Sequence, residues 1–463
     1  MPSEERRPHM TVWCEETPSV HGSGEPVDTK LHRIAEKARK EPQFKFTSLY
    51  HLMNEELSRE CFKRLRKDTA AGIDEMTKEK YAENLDTNLT DLIARLHRMS
   101  YRPQPVRRKY IPKPGSDKQR PLGIPCLEDK LVQAGLVRIL EAVYEQDFIG
   151  DSYGFRPKRS CHQALRALSD TVENGPVNHI VEADIKGFFD NVKQDWLIKF
   201  LEHRIGDKRI WRMVKRFLKA GVSEDGSVTV SDKGTPQGGV ISPLLANIYL
   251  HYALDLWFEK VYRKNCTGFA RIISYADDFV VCFQYKADAE RFLKELGKRL
   301  SRFGLEVEPT KTRVVEFGRY AAQNAKERGE RPKTFDFLGF THYRGTRRDG
   351  KGFRMKRATA RKKFQAKVKA FKDWLIKART MKTKELWETA KAKLSGHYSY
   401  YGVTDNLPGI KRFGVEVEKL MLKWLNRRGR RGCLNWQEFC EKMKLFPLPE
   451  PRIKVSMFAK SVN

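Results

Sequence analysis

The apolar residues of this chain fall into short hydrophobic runs separated by polar turns and by longer segments with helical spacing. The run RIISYADDFVVCF at 271–283 places two β-prone segments around an acidic pair, which predicts a β-hairpin with that pair at its tip. HIVEADIKGFF at 179–189 is predicted to be a short strand that ends in an acid. Residues 128–148 have the spacing of a long amphipathic helix. Together these elements predict an α+β fold.

Two other segments combine a structural pattern with positive charge. Residues 101–125 hold six prolines and many basic residues, and the turn at 113–116 between two extended runs predicts a cationic β-hairpin. Residues 344–393 contain 19 Lys or Arg against 4 acids, above an apolar helical stripe that includes Phe371 and Leu375. A solvated basic helix face would explain this pattern, but a nearly single-signed surface favours nucleic-acid binding. The candidate RNA-binding residues are Arg361, Lys362, Lys363, Lys367 and Lys369.

The composition of the whole chain supports a polyanionic partner. Lys and Arg number 90 against 59 acids among 463 residues, which gives a net charge of +31. Nucleic acid is the first candidate and an anionic membrane surface the weaker second, since no segment approaches the roughly 20 apolar residues of a spanning helix. The N-terminus lacks the apolar stretch of a signal peptide, so a cytosolic, nucleoid-associated location is expected. The eight cysteines form no CxxC pair and are interpreted as reduced thiols.

The acidic pair at the predicted hairpin tip needs a reason, because adjacent carboxylates repel each other. Hard divalent cations prefer carboxylate oxygens, and nucleotidyl transfer uses two Mg²⁺ ions. Asp277 and Asp278 at the tip, with Asp184 on a neighbouring strand, would supply the ligands. An Asp-rich β-turn without a metal is the common alternative.

Several residues near these acids have chemistry suited to a nucleotide. Lys113 and Arg120 lie on the cationic hairpin and suit the oxygens of a triphosphate. Glycines flank Pro236 and Gln237, which lets the backbone approach a base pair closely. Lys311 follows the next helix and suits a leaving pyrophosphate.

Seven motifs of this chain resemble those of group II intron reverse transcriptases, also called intron-encoded maturases, and occur in the same order as in that family. The resemblance covers about residues 60 to 345. The SYGFRP block separates that family from retroviral polymerases. The motifs are RPLGIP (120–125), SYGFRPKRS (152–160), ADIKGFFDNV (183–192), GTPQGGVISPLLANIYL (234–250), YADDFVV (275–281), EPTKT (308–312) and FDFLGF (335–340).

The resemblance implies a right-hand polymerase with fingers, a palm built on an antiparallel sheet, and a helical basic thumb. It implies that Asp184, Asp277 and Asp278 are catalytic metal ligands for two Mg²⁺ ions. The deoxynucleotide would be bound by Lys113, Arg120, Gln237 and Lys311, with Phe189 as a steric gate under the sugar; a core aromatic is an equally good interpretation of Phe189. The expected divisions are a flexible tail (1–28), an N-terminal extension with fingers (29–175), the palm (176–345), the thumb or maturase domain (346–425) and a basic appendix (426–463).

The expected function is RNA-directed DNA synthesis together with binding of the parent intron RNA, for splicing and for mobility by target-primed reverse transcription. The partners would be intron RNA, an RNA template with a DNA primer, target DNA and deoxynucleotides. Many relatives end in an endonuclease domain with paired CxxC motifs; these are absent up to Asn463, so an endonuclease-lacking bacterial type is expected. Two alternatives remain open: an intron-less enzyme used in DNA repair or defence, and a non-catalytic RNA-binding splicing factor, against which the intact acidic triad argues.

Overall fold

The computed structural model describes residues 26–112, 119–224, 226–230, 233–234, 238–347, 350, 352–428 and 433–458. The helices within these ranges are α1 Val27–Lys40, α2 Glu55–Arg64, α3 Lys78–Glu83, α4 Leu85–His97, α5 Leu127–Tyr144, α6 Cys161–Asn174, α7 Phe188–Asn191, α8 Gln194–Arg204, α9 Lys208–Lys219, α10 Ser242–Leu250, α11 Lys286–Arg302, α12 Ala321–Glu327, α13 Arg361–Lys377, α14 Thr383–Tyr401, α15 Leu407–Leu425 and α16 Trp436–Leu445. The strands are β1 Val106–Pro112, β2 Gln119–Ile124, β3 His179–Asp184, β4 Val222–Glu224, β5 Ser227–Thr229, β6 Ala270–Tyr275, β7 Asp278–Phe283, β8 Arg313–Glu316, β9 Phe335–Phe337, β10 Phe340–Thr346 and β11 Phe353–Thr359. No described helix is long and apolar enough to cross a membrane. Mixed helices and antiparallel sheets confirm the α+β prediction.

The central sheet has the strand order β6-β7-β3-β8 with antiparallel neighbours. Alternate residues of β7 enter two different hydrophobic clusters, with Phe279 and Val281 in one and Val280 and Cys282 in the other. Both faces of the sheet are therefore covered, which explains why the sequence of β7 is continuously apolar rather than alternating.

The predicted cationic hairpin is present as the antiparallel pair β1–β2, and its turn at 113–118 lies outside the described residues. It belongs to a second sheet of order β2-β1-β4-β5, in which β4 runs parallel to β1. Strand β2 leads directly into α5, whose predicted amphipathic character is wrong in one respect. Almost every residue of α5 is buried, including Asp129, Lys130 and Gln133, because neighbouring elements surround it on all sides.

The C-terminal part combines a three-stranded sheet, β11-β10-β9, with helices α13 to α16. The predicted stripe on α13 is confirmed, since Phe371 and Leu375 are buried there. The boundary predicted at residue 345 lies inside β10, so the change in composition does not coincide with a break in secondary structure. At the other end, α1 begins at Val27, so its first two residues fall within the predicted tail. The division into domains stays a prediction.

Candidate functional site

The hairpin β6–β7 carries the acidic pair in a two-residue turn. Tyr275 pairs with Asp278, which leaves Ala276 and Asp277 as the turn residues. Ala276 has φ of 56°, in the left-handed region that costs a residue with a Cβ roughly 1–2 kcal/mol. Gly would adopt this conformation without strain, whereas Ala requires contacts with the surrounding structure to hold it.

The third carboxylate lies directly opposite the second. Asp184 ends β3 and is the cross-strand partner of Asp278 on β7. Residues in that relation have Cβ atoms about 5 Å apart, and like charges there destabilise a sheet. The sheet therefore brings all three predicted carboxylates, those of Asp184, Asp277 and Asp278, to one edge.

Their electrostatics show the strain of this arrangement. Burial and then the charge of Asp184 raise the pKa of the Asp277 carboxyl, while Arg120 and Lys311 act in the opposite direction. Asp278 is exposed as a residue, but protein atoms crowd around its carboxyl group. This crowding, with the charge of Asp277 next in importance, raises the pKa of Asp278 to about 7.

A lysine at present neutralises part of this charge. The Nζ of Lys311 forms an ion pair with Oδ2 of Asp184, and this contact raises the pKa of Lys311. No group of three His, Cys, Asp or Glu side chains among the described residues encloses a metal site as it stands. The donor set nevertheless fits Mg²⁺, because hard cations prefer carboxylate oxygens and three carboxylates meet at this edge of the sheet.

The acidic turn is supported from behind by the segment that contains SYGF. The backbone N–H of Tyr153 donates to the carbonyl of Ser274 at 2.9 Å, and Arg271 makes two 2.8 Å hydrogen bonds to Asp151. A Cβ at Gly154 would overlap the backbone nitrogen of Ala276. Glycine is thus required where this segment crosses the strained turn.

A buried amide holds that glycine in place. Asn247 on α10 is 4% exposed and donates from Nδ2 to the carbonyl of Gly154 at 2.7 Å. The sequence alone identified the SYGF block as a family marker and missed its structural task. The glycine inside an otherwise bulky motif was the available signal.

A second strained turn contacts the acids from the other side. Leu338 has φ of 50°, and its backbone N–H points to Oδ2 of Asp278 at 3.4 Å. The hydroxyl of Tyr400 on α14 donates to the carbonyl of Leu338 at 2.8 Å. The FDFLGF motif therefore connects the acidic site to the C-terminal helices.

Arg120 lies close enough to the site for its charge to act on one of the acids. It lies on β2 opposite Ile111, and its charge acts on Asp277. Arg107 and Lys109 project from the same face of the hairpin, since residues two apart on a strand share a face. Sequence reasoning did not single out these two cations, because they belong to the continuous basic run Arg107, Arg108 and Lys109.

The remaining predicted residues divide into three groups. Phe189 is half-buried and makes an edge contact with the fully buried ring of Phe188 at 5.4 Å between centroids, so Phe188 rather than Phe189 is the core aromatic of the pair. Lys113 and Gln237 lie outside the described residues. The five predicted RNA-binding cations all lie on α13.

The first turn of α13 is closer to the acids than the sequence suggested. The charge of Lys363 acts on Asp278, and its side chain passes over Gly339. Lys363 therefore belongs to the acidic site as well as to the basic helix. Arg361, Lys362 and Lys369 are exposed and Lys367 is half-buried.

Comparison with known proteins gives a consistent set of matches. A family model described as reverse transcriptase (RNA-dependent DNA polymerase) matches residues 111–342. The chain is 40% identical over 230 residues to the group II intron-encoded protein LtrA of Lactococcus lactis subsp. cremoris, covering 49% of this chain and 38% of LtrA. It is 36% identical over 254 residues to protein YkfC of Escherichia coli (strain K12), covering 48% of this chain and 66% of YkfC. It is 27% identical over 172 residues to the nuclear intron maturase 2, mitochondrial, of Arabidopsis thaliana, covering 28% of this chain and 23% of that protein. The matched region thus spans less than half of LtrA and just under two thirds of YkfC.

The raised pKa of Asp278 predicts a pH-dependent gain in stability when its charge is removed. The folded pKa of about 7 exceeds the unfolded value of about 3.9, so ionisation destabilises the metal-free fold increasingly from pH 4 to pH 7. In EDTA, Asp278→Asn should raise the melting temperature at pH 8 and should raise it by less at pH 5.5. The gain at pH 8 should be only roughly 2 °C, because the residue is exposed and solvent screens its charge.

Adding Mg²⁺ at pH 8 should stabilise the wild type more than this variant. The control is Asp195→Asn, which changes an exposed acid on α8. It should neither raise the melting temperature in EDTA nor reduce the stabilisation by Mg²⁺. Equal Mg²⁺ stabilisation of wild type and Asp278→Asn would contradict a metal role for this carboxylate.

Proposed function

This chain belongs to the reverse transcriptase family, in the group of intron-encoded reverse transcriptases and maturases, and we propose that it is an RNA-directed DNA polymerase. The observation that carries the proposal is the register of the central sheet, which sets Asp184 opposite Asp278 and beside Asp277. The family uses Mg²⁺, and we assign two ions to these three carboxylates. Three acids on adjacent strand ends have no comparable use in a protein that only binds RNA.

In this proposal the 3′-oxygen of the primer attacks the α-phosphorus of the incoming deoxynucleotide, and pyrophosphate leaves. Bound Mg²⁺ would supply activation of the hydroxyl and charge for the triphosphate. Asp184 and Asp278 at strand ends, with Asp277 in the adjoining turn, would hold the ions at a fixed position on the sheet. When Asp184 takes up its role as a ligand, Lys311 is released from the ion pair and its charge becomes available for the leaving pyrophosphate.

The sheet that carries Arg120 provides the other half of the nucleotide site. Arg120, with Lys113 and Gln237 from neighbouring segments, would hold the triphosphate and the template-paired base. The half-buried ring of Phe189 would lie under the sugar and exclude a 2′-hydroxyl. We accordingly assign the β1–β2 hairpin to the fingers, the central sheet to the palm and α13–α15 to the thumb.

The basic helix α13 supports a second role, binding of structured intron RNA. Arg361, Lys362 and Lys363 form its first turn, which contains no acid. Cations there oppose the helix dipole, which favours negative charge at an N-terminus by about 0.3–1 kcal/mol per residue. This local conflict is understandable if phosphates of an RNA complete the site. The partners of the whole protein would then be intron RNA, an RNA template with its DNA primer, and target DNA for intron mobility.

The catalytic assignment predicts a specific loss. Asp277→Asn should reduce primer extension on an RNA template by at least about 10³-fold, because a ligand for the metal ions is removed. RNA affinity measured by filter binding should change less than about twofold. Asp195→Asn should extend normally, and substantial extension by Asp277→Asn would contradict the assignment.

The gate assignment predicts relaxed sugar selection. Phe189→Ala should lower the preference for deoxynucleotides over ribonucleotides by about tenfold or more, since the clash with the 2′-hydroxyl is removed. Phe189→Tyr keeps the ring and should retain the wild-type ratio. An unchanged ratio in Phe189→Ala would return this residue to a packing role.

The basic surface predicts that splicing support and polymerisation separate. Reversing Arg361, Lys362 and Lys369 to Glu, with Lys363 kept because it lies beside Asp278, should abolish intron splicing at low Mg²⁺ and flatten the salt dependence of RNA binding. Acids at the start of α13 favour the helix dipole, so the helix should form normally. Asp277→Asn should still support splicing.

The matched control reverses Lys264, Lys294 and Lys298, three exposed lysines elsewhere on the chain. This control should splice as the wild type does. A folded α13 variant that splices with the wild-type salt slope would contradict the proposal.

A further inference from the structure

Helix α9 has a solvent face of a single sign. Its apolar side buries Ile210, Met213, Val214, Phe217 and Leu218. The opposite side exposes Lys208, Arg212, Lys215 and Lys219, spaced four, three and four residues apart along one stripe. The helix KRIWRMVKRFLK contains no acid to balance them.

The high net charge of the chain does not by itself explain why the exposed face of α9 carries only positive charges. Helix α11 has a similar amphipathic pattern, yet its exposed face mixes signs, with an ion pair between Lys286 and Glu290 at 3.3 Å. A solvated helix face of this protein can therefore contain both charges. The α9 stripe differs from it, and no function described above uses it.

An aromatic side chain lies within the stripe. Trp211 is half-buried and follows Lys208 by three residues and precedes Lys215 by four, so the three share one face. Proteins bind single-stranded nucleic acids with a partly exposed aromatic ring surrounded by cations. The bases stack on the ring and the phosphates contact the cations. Bases inside a duplex are already stacked on each other, so they are not available to stack on Trp211.

The helix is held rigidly at both ends. Asp207 caps it, and its carboxylate also accepts the backbone N–H groups of Leu49 at 3.0 Å and Tyr50 at 2.8 Å. At the other end the carbonyl of Gly221 accepts the N–H of Val106 on β1 at 3.1 Å. That connection joins α9 to the hairpin sheet whose Arg120 acts on Asp277.

We propose that the exposed face of α9 binds the single-stranded RNA template before it reaches the acidic site. This inference rests on the proposed polymerase function and names a surface for its template. The stripe is about 16 Å long at 1.5 Å per residue, enough for roughly three nucleotides. Trp211 stacks one base, and Lys208, Arg212 and Lys215 neutralise the adjacent phosphates.

The test compares two primer–template complexes that differ only in the length of the single-stranded RNA ahead of the primer. One has a 5′ template overhang of about two nucleotides and the other of about ten, chosen to fall short of and to cover the roughly three-nucleotide stripe. Affinity is measured by fluorescence anisotropy without deoxynucleotides. The wild type should bind the long overhang about tenfold tighter, the size of one base–ring stacking contact.

Trp211→Ala, and separately Lys208, Arg212 and Lys215 changed together to Ala, should reduce this ratio to about one while leaving the short-overhang affinity unchanged. Trp211→Phe should restore it, because a ring remains. Changing Lys264, Lys294 and Lys298 together to Ala should keep the wild-type ratio. The charge variant should also lower the salt slope for the long overhang by about two, at roughly 0.7 per phosphate contact.

Three results would overturn the inference. The first is that the wild type binds both overhangs equally well, and the second is that both α9 variants keep the long-overhang preference of the wild type. The third is that the variants lose the same affinity for both complexes, which would indicate a duplex contact or misfolding. Failure of the polymerase proposal is distinguishable, because the wild type would then not extend even the short-overhang primer with Mg²⁺ and deoxynucleotides.

Discussion

Repulsion among three carboxylates at one edge of the central sheet governs the surroundings of the site. Asp184 faces Asp278 across two paired strands, and Asp277 lies next to it in a turn. Nothing in strand pairing favours this arrangement, so it has to be offset by cations and by a scaffold that prevents the strands from separating. Lys311 contacts Asp184, and Arg120 and Lys363 act on the other two acids from separate segments of the chain. The positive groups of the N-terminal sheet, the loop before β8 and the C-terminal helix α13 are thus drawn to the same point.

The backbone around the acids contributes as much as the charges. Ala276 and Leu338 both have left-handed conformations, and each is fixed by a neighbour: Gly154 under the first and Tyr400 on the second. Strain of this kind persists only where the surrounding structure determines it fully. The buried Asn247 extends that support from the turn to helix α10.

The sequence was sufficient for the elements that have strong local signals. The hairpin around Asp277, the strand that ends in Asp184, and the paired strands on either side of Lys113 follow from runs of β-prone residues bounded by turns. It was insufficient where tertiary environment overrides local pattern. The burial of Asp129 and Lys130 in α5 depends on partners distant in sequence, as does the approach of Lys363 to Asp278. The contact between Lys311 and Asp184 joins residues distant in sequence, which come together where the segment before β8 bonds to the end of β3.

The position of β3 and β7 between two hydrophobic clusters bears on how the protein loses its structure. Val281 belongs to the cluster of the N-terminal helices, and Val280 belongs to the cluster of the C-terminal helices. Loosening either cluster exposes one face of the same two strands, so the two clusters are coupled through the sheet and unfold cooperatively around it. We therefore expect the amides of β3 and β7 to be among the most slowly exchanging of the described residues. The geometry of the acidic edge would then be retained in the local openings that release peripheral helices.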